Sequence, residues 1–118
     1  MAPLARWEPD DALEALHRAG LEVWGVEPAR WPPDAPQPRT HRQALTFVTR
    51  DVADPHLLLV FDTFEGLEVW RLWLARYWKA RPYLSIKDNL LLLVSRDLSP
   101  DEAAVLHAAL DRLGQLSA

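Results

Sequence analysis

The sequence predicts an α+β domain: a sheet of about four mainly antiparallel strands packed with three helices, in the order α-β-β-β-α-β-α. Three observations carry that expectation. Leu57 to Phe61 and Leu90 to Val94 are uninterrupted apolar runs, the pattern of strands buried on both faces. Between them, residues 63 to about 80 place large apolar side chains at helical spacing and hold three of the six Trp. Two further segments begin with the carboxylates or capping residues that open helices and end at glycine. With 118 residues, the chain is read as one domain, long enough for a core without cross-links.

Pro9, Asp10 and Asp11 open the first helix, their negative charge set against its dipole. Leu13 and Leu16 give it an apolar stripe. Gly20 closes it in the left-handed conformation, with Leu21 folding back on the stripe. Leu21, Val23, Trp24 and Val26 then form a short edge strand. Residues Pro28 to Pro38 hold five of the ten Pro, a density no helix or inner strand survives. This segment is expected to be extended, near polyproline II, and pinned to the body by Trp31. A Pro-rich ligand for an aromatic groove is the alternative, but only one loose PxxP spacing supports it.

Gln43 to Val52 reads as a strand, with Leu45 and Phe47 facing one way and Thr46, Val48 and Arg50 the other. Asp54 and Pro55 turn it into the Leu57 strand, making a hairpin. Asp62 is expected to cap the next helix and Glu65 to complete a capping box. Leu67, Trp70, Trp73, Leu74, Tyr77 and Trp78 share one face, with Phe64 and Val69 at its edges. Glu65, Glu68, Arg71, Arg76 and Lys79 share the other face, and Leu72 is a misfit among them. Pro82 stops the helix. An optional extra strand lies near Tyr83 to Ile86, before Asp88-Asn89 and the Leu90 strand. Ser99, Pro100 and Glu102 make the clearest helix start in the chain. Val105, Leu106, Ala109, Leu110 and Leu113 line that last helix, and Gly114 ends it.

Two strands that are apolar on both sides need both sheet faces covered. Three helices can do this with two on one side and one on the other. If all three lay on one side, the bare face would have to meet another chain or an apolar ligand.

Composition narrows function mainly by exclusion. The chain has no Cys, hence no disulfide framework, thiol nucleophile or thiolate metal site. A net charge of −4 argues against a general nucleic-acid binder, whose affinity comes from neutralising phosphates. No apolar run approaches the ~20 residues needed to span a bilayer, and the start, MAPLARWEPDD, lacks a signal-peptide core. A cytoplasmic protein without membrane or nucleic-acid partners is the expectation.

The same residues carry few of the elements that catalytic or metal motifs need. His17, His41, His56 and His107 include no pair at the spacing of a helical metal site. His56 with Asp51 and Asp54 reads as a polar turn rather than a metal cluster, and His17 and His107 as helix-boundary residues. Asp62, Glu65 and Glu68 resemble paired acids, but two of them serve as caps in this reading. No nucleophile elbow or Gly-rich phosphate loop occurs. No catalytic residue, cofactor or metal is therefore assigned, and the balance leans away from an enzyme.

Two features remain as candidate binding elements. Arg39, His41 and Arg42 form a small basic patch. Trp24, Trp31, Trp70, Trp73, Trp78 and Tyr77 exceed what a small core usually needs. The candidate ligand or partner residues are accordingly Trp31, Trp70, Trp73, Tyr77, Arg39 and Arg42.

The stretches Leu13-Glu14-Ala15-Leu16-His17-Arg18-Ala19-Gly20-Leu21, Leu59-Val60-Phe61-Asp62 before a helix, and Asn89-Leu90-Leu91-Leu92-Leu93-Val94 ending in Asp97-Leu98-Ser99-Pro100-Asp101-Glu102 share a pattern with known domains. It resembles small uncharacterised bacterial α/β domains of the type often found in lipoproteins. The resemblance implies a fold and no activity. The chain departs from it in lacking a lipid-attachment Cys.

The leading functional expectation is a non-enzymatic protein-interaction or homodimerisation module. The alternative is a small-molecule binding or sensing domain, with an aromatic pocket between the Trp helix and the Pro-rich loop.

Overall fold

A computed structural model of the chain describes residues 7–77 and 83–113. Its elements are α1 (Pro9–Arg18), β1 (Trp24–Pro28), β2 (Gln43–Val48), β3 (His56–Val60), α2 (Phe64–Tyr77), β4 (Leu84–Lys87), β5 (Leu90–Leu93) and α3 (Pro100–Asp111). The order is thus α-β-β-β-α-β-β-α, one strand more than the four expected. The optional strand near Tyr83 is real: Asp88, at φ +52°, makes the two-residue turn that pairs β4 with β5. All pairings are antiparallel, and the sheet runs β1-β2-β3-β5-β4.

The two apolar runs lie side by side at the centre, Leu58 opposite Leu92 and Val60 opposite Leu90. Alternation divides each between two cores. Leu58, Val60, Leu90, Leu92 and Val94 meet α1 and α3 on one face. Leu59, Phe61, Leu91 and Leu93 meet α2 on the other. Helices of this one chain therefore cover both faces, two on one side and one on the other, so the bare-face route to dimerisation has no bare face behind it. Leu67, Trp70 and Leu74 are the buried apolar side chains of α2, each worth roughly 1.5–3 kcal/mol.

Local chemistry fixes the helix ends. Glu8 and Asp11 form a capping box on α1, and Ser99 and Glu102 another on α3. The Gly20 N–H donates to the His17 carbonyl at 2.9 Å and the Leu21 N–H to the Leu16 carbonyl at 3.2 Å. With Gly20 at φ +89°, this is the Schellman closure expected of that glycine. For α2 the expected cap is corrected by one residue. The Gly66 N–H donates to Thr63 Oγ1 at 3.0 Å, so Thr63 is the cap and Glu65 falls short of the third helical position that a capping box needs. Asp62 instead pairs with Arg42 at 3.0 Å.

Other boundaries also move. β2 ends at Val48, before the expected Val52. β1 runs into the Pro-rich segment as far as Pro28, which an edge strand tolerates, and its pairing with β2 slips between Trp24 and Glu27. In α3 the buried positions include Ala103, while Val105 is exposed. The expectations for Trp78, Lys79, Pro82 and Gly114 lie outside the described residues. Among the described residues, no helix is long and apolar enough to cross a membrane.

Candidate functional site

The Pro-rich loop crosses the end of the sheet on the α2 side. Its backbone is tied to the sheet at its margins, by Ala29 N–H to the Ala44 carbonyl (2.9 Å) and Arg42 N–H to the Val60 carbonyl (2.8 Å). Between those points Trp31 docks the loop, as expected from its lone large ring. Its ring lies 5.9 Å from Trp70 and 5.3 Å from His41, and His41 lies 5.7 Å from Trp70. Helical spacing continues the series, Trp70 to Trp73 at 5.6 Å and Trp73 to Tyr77 at 5.6 Å. These are the edge-on and tilted geometries that aromatic quadrupoles favour, about 0.5–1.5 kcal/mol per pair beyond burial.

A cavity of about 260 Å³ opens between this aromatic row and the sheet. Trp31, Ala29 and Gln37 come from the loop, Trp70, Trp73 and Leu74 from α2, and Leu57 and Leu93 from the sheet. Arg30 and Asp54 border it with opposite charges. Its volume lies just below the usual range of small-molecule pockets, and its largely apolar walls with few polar groups match their chemistry.

Of the six residues named from the sequence, Trp31, Trp70 and Trp73 converge on this cavity. Tyr77 is 61% exposed at the far end of the aromatic row, where the Arg76 guanidinium sits 5.4 Å from its ring centre. Arg39 does not line the cavity and donates to the Pro32 carbonyl at 3.2 Å. Arg42 is neutralised by Glu8 (3.1 Å) and Asp62 (3.0 Å). Within this basic segment, then, Arg42 pairs with two carboxylates and His41 sits edge-on to two Trp rings. Burial first, and then the nearby Arg39 charge, lower the His41 pKa, which favours the neutral ring.

Gln37, Leu57 and Leu93 were missed as site residues. Leu57 and Leu93 read as ordinary strand residues, and only the strand register brings them beside α2. Gln37 is one amide between prolines, and nothing in its spacing marks it as buried. In the structure it is 8% exposed, and its Nε2 has no hydrogen-bond partner. The same holds for Trp70 Nε1 and His41 Nδ1.

His56 departs from the polar-turn expectation. It is fully buried, with Nδ1 accepting the Ser95 N–H at 2.9 Å and Nε2 2.9 Å from Thr49 Oγ1. A backbone N–H can only donate, so the ring proton sits on Nε2. Burial pushes its pKa down to about 4, against a smaller opposing pull from Asp54. The imidazole staples the β2–β3 connection to the end of β5.

On the other face, Ser85 Oγ contacts His107 Nδ1, and His107 Nε2 lies 3.4 Å from Asp111. The order is hydroxyl, imidazole, carboxylate. Ser85 is itself 2% exposed, and a cavity of about 220 Å³ borders both it and His107. The contact ties edge strand β4 to α3. Among the described residues, no cluster of His, Asp and Glu could hold a metal ion.

Compared with known protein families, with curated proteins and with solved structures, the chain finds no match.

Proposed function

We propose that this chain is a small-molecule binding domain whose ligand site is the aromatic cavity between α2 and the Pro-rich loop. The observation that carries the reading is the convergence of Trp31, Trp70 and Trp73 around a cavity of about 260 Å³. Trp31 comes from a loop far from α2 in sequence, so helix packing alone does not explain the arrangement. A site of this size takes a flat ligand of one or two fused rings. The test is a ligand-observed NMR screen of one- and two-ring compounds, repeated on Trp31→Ala. Flat aromatic compounds are expected to bind the native chain and to lose binding in the variant, with the far-ultraviolet circular dichroism unchanged. A screen in which no flat compound binds, or in which Trp31→Ala binds equally, overturns the proposal.

A second reading is the partner-binding module, with homodimerisation as its simplest form. It is favoured by exposed apolar side chains away from the cavity: Trp24 and Val26 on β1, and Phe64 and Leu72 on α2. Analytical ultracentrifugation tests the dimer, and a monomer at high micromolar concentration removes it.

A further inference from the structure

The cavity is walled largely by apolar surface, yet polar atoms of two lining residues, Gln37 Nε2 and Trp70 Nε1, have no partner, and neither has Nδ1 of His41 in the adjoining aromatic row. Two of them are donors. The Trp70 indole N–H can only donate, and the Gln37 amide nitrogen likewise. Both residues border the cavity and are nearly or fully buried, Gln37 at 8% exposure and Trp70 at 1%. A buried donor without a partner carries the full loss of its hydration. Two such donors on residues that line one cavity are a preset demand for acceptors.

Charge on the ligand is not demanded in the same way. Arg30 and Asp54 border the site with opposite signs, and Arg96 lies 3.8 Å from the Asp54 carboxylate. An aromatic cage for a cation needs uncompensated negative charge or bare ring faces. Here the Trp faces and edges are already engaged with one another and with His41.

We infer that the ligand is a flat, neutral ring compound presenting a carbonyl or similar acceptor to the N–H groups of Gln37 and Trp70. The inference rests on the binding-domain reading and specifies its chemistry. Neither nitrogen is open to water in the free chain, so the acceptor must displace the side chains that cover them as it enters. The loop permits this. Between Ala29 and Arg42 its only backbone hydrogen bond among the described residues is the local turn from Ala35 N–H to the Pro32 carbonyl. The donors then gain the partners they lack, whereas a purely apolar ligand of the same shape leaves them unsatisfied.

Three probes of similar size separate the possibilities. Coumarin is neutral, with a carbonyl acceptor and no N–H. Indole is neutral, with an N–H donor and no carbonyl. N-methylquinolinium is a flat cation. Titrations followed by the indole N–H resonances of the Trp residues are expected to give coumarin about tenfold tighter binding than indole, the effect of one or two well-made hydrogen bonds. The Trp70 resonance should move downfield with coumarin alone. Gln37→Leu should bring coumarin to the affinity of indole and leave indole unchanged. Trp70→Phe, which keeps most of the ring, should do the same.

Equal or tighter binding of indole at the same resonances overturns the acceptor inference and leaves the pocket standing as a reader of shape. Tighter binding of N-methylquinolinium overturns it in favour of a cation site. If none of the three probes perturbs Trp31 or Trp73, the binding-domain reading itself fails.

Discussion

Asn89→Ala is expected to cost far more than a turn substitution should. The residue sits in the β4–β5 turn, where the usual role of Asn is to tolerate an awkward backbone. Here it is fully buried. Its Oδ1 accepts the Trp7 N–H at 2.7 Å, and its Nδ2 donates to the Trp7 and Phe61 carbonyls, each at 3.1 Å. One amide thereby joins the segment before α1, the end of β3 and the β4–β5 hairpin. Removing it deletes three hydrogen bonds of about 0.5–1.5 kcal/mol each, and the Phe61 carbonyl, at a fully buried residue, loses a donor that water cannot readily replace. The sum is about 3–4 kcal/mol, a large share of the 5–15 kcal/mol typical of a domain. Urea unfolding followed by circular dichroism should show the midpoint falling by about 2 M at an ordinary slope. Asp88→Gly is the control. It keeps the left-handed turn residue and loses only the exposed bond to Trp7 Nε1 (2.7 Å), so it should stay within about 1 kcal/mol of the native chain. A loss of less than about 1 kcal/mol for Asn89→Ala would refute the account of this residue as a three-way tie.

Two further expectations follow from buried groups. The folded-state pKa of His56, about 4, lies below the unfolded value of about 6.5, so between these limits the unfolded chain binds the extra proton. Stability is therefore complete above about pH 6.5 and is lost as pH falls toward 4, by roughly 3 kcal/mol in total; His41 adds to the loss in the same direction. Urea midpoints across that range check this, and His56→Gln should flatten most of the slope. At Gly66, a Cβ would lie 2.8 Å from the Thr40 carbonyl oxygen. In an exposed helix Gly→Ala gains up to about 1 kcal/mol. Gly66→Ala should instead lose about 1–3 kcal/mol, because the loop backbone must move, and a rise in the thermal midpoint would contradict this.

The elements that were legible in the sequence are those specified by local chemistry. Ser99, Pro100 and Glu102 announce α3 unaided, and Gly20 announces the end of α1. The apolar runs at 57–61 and 90–94 announce central strands because they are too short for a buried helix and are bounded by turn residues. The β4 strand was harder, since Leu84 to Lys87 is short and half polar, and only its pairing with β5 defines it. Asp62 and Thr63 are both good caps, and sequence alone does not choose between neighbours; Arg42, distant in the chain, draws Asp62 away. The candidate site was half visible. Trp31, Trp70 and Trp73 stood out by residue type, but Gln37, Leu57 and Leu93 enter through register and loop path, which no local pattern encodes. In the basic segment, the partners of Arg42, Glu8 and Asp62, lie far from it in the chain, and no local pattern points to them.

The outermost strand β1 carries a consequence for behaviour at high concentration. All five of its residues are exposed, and it offers an unclaimed ribbon side. Yet its ladder is broken between Trp24 and Glu27, Gly25 stands at φ +68°, and Pro28 contributes no N–H. A second molecule trying to zip onto that rim would find a kinked template bearing a carboxylate at Glu27 and lacking one donor. The irregularities that make β1 look like a poor strand work against open-ended growth of the sheet into a fibril.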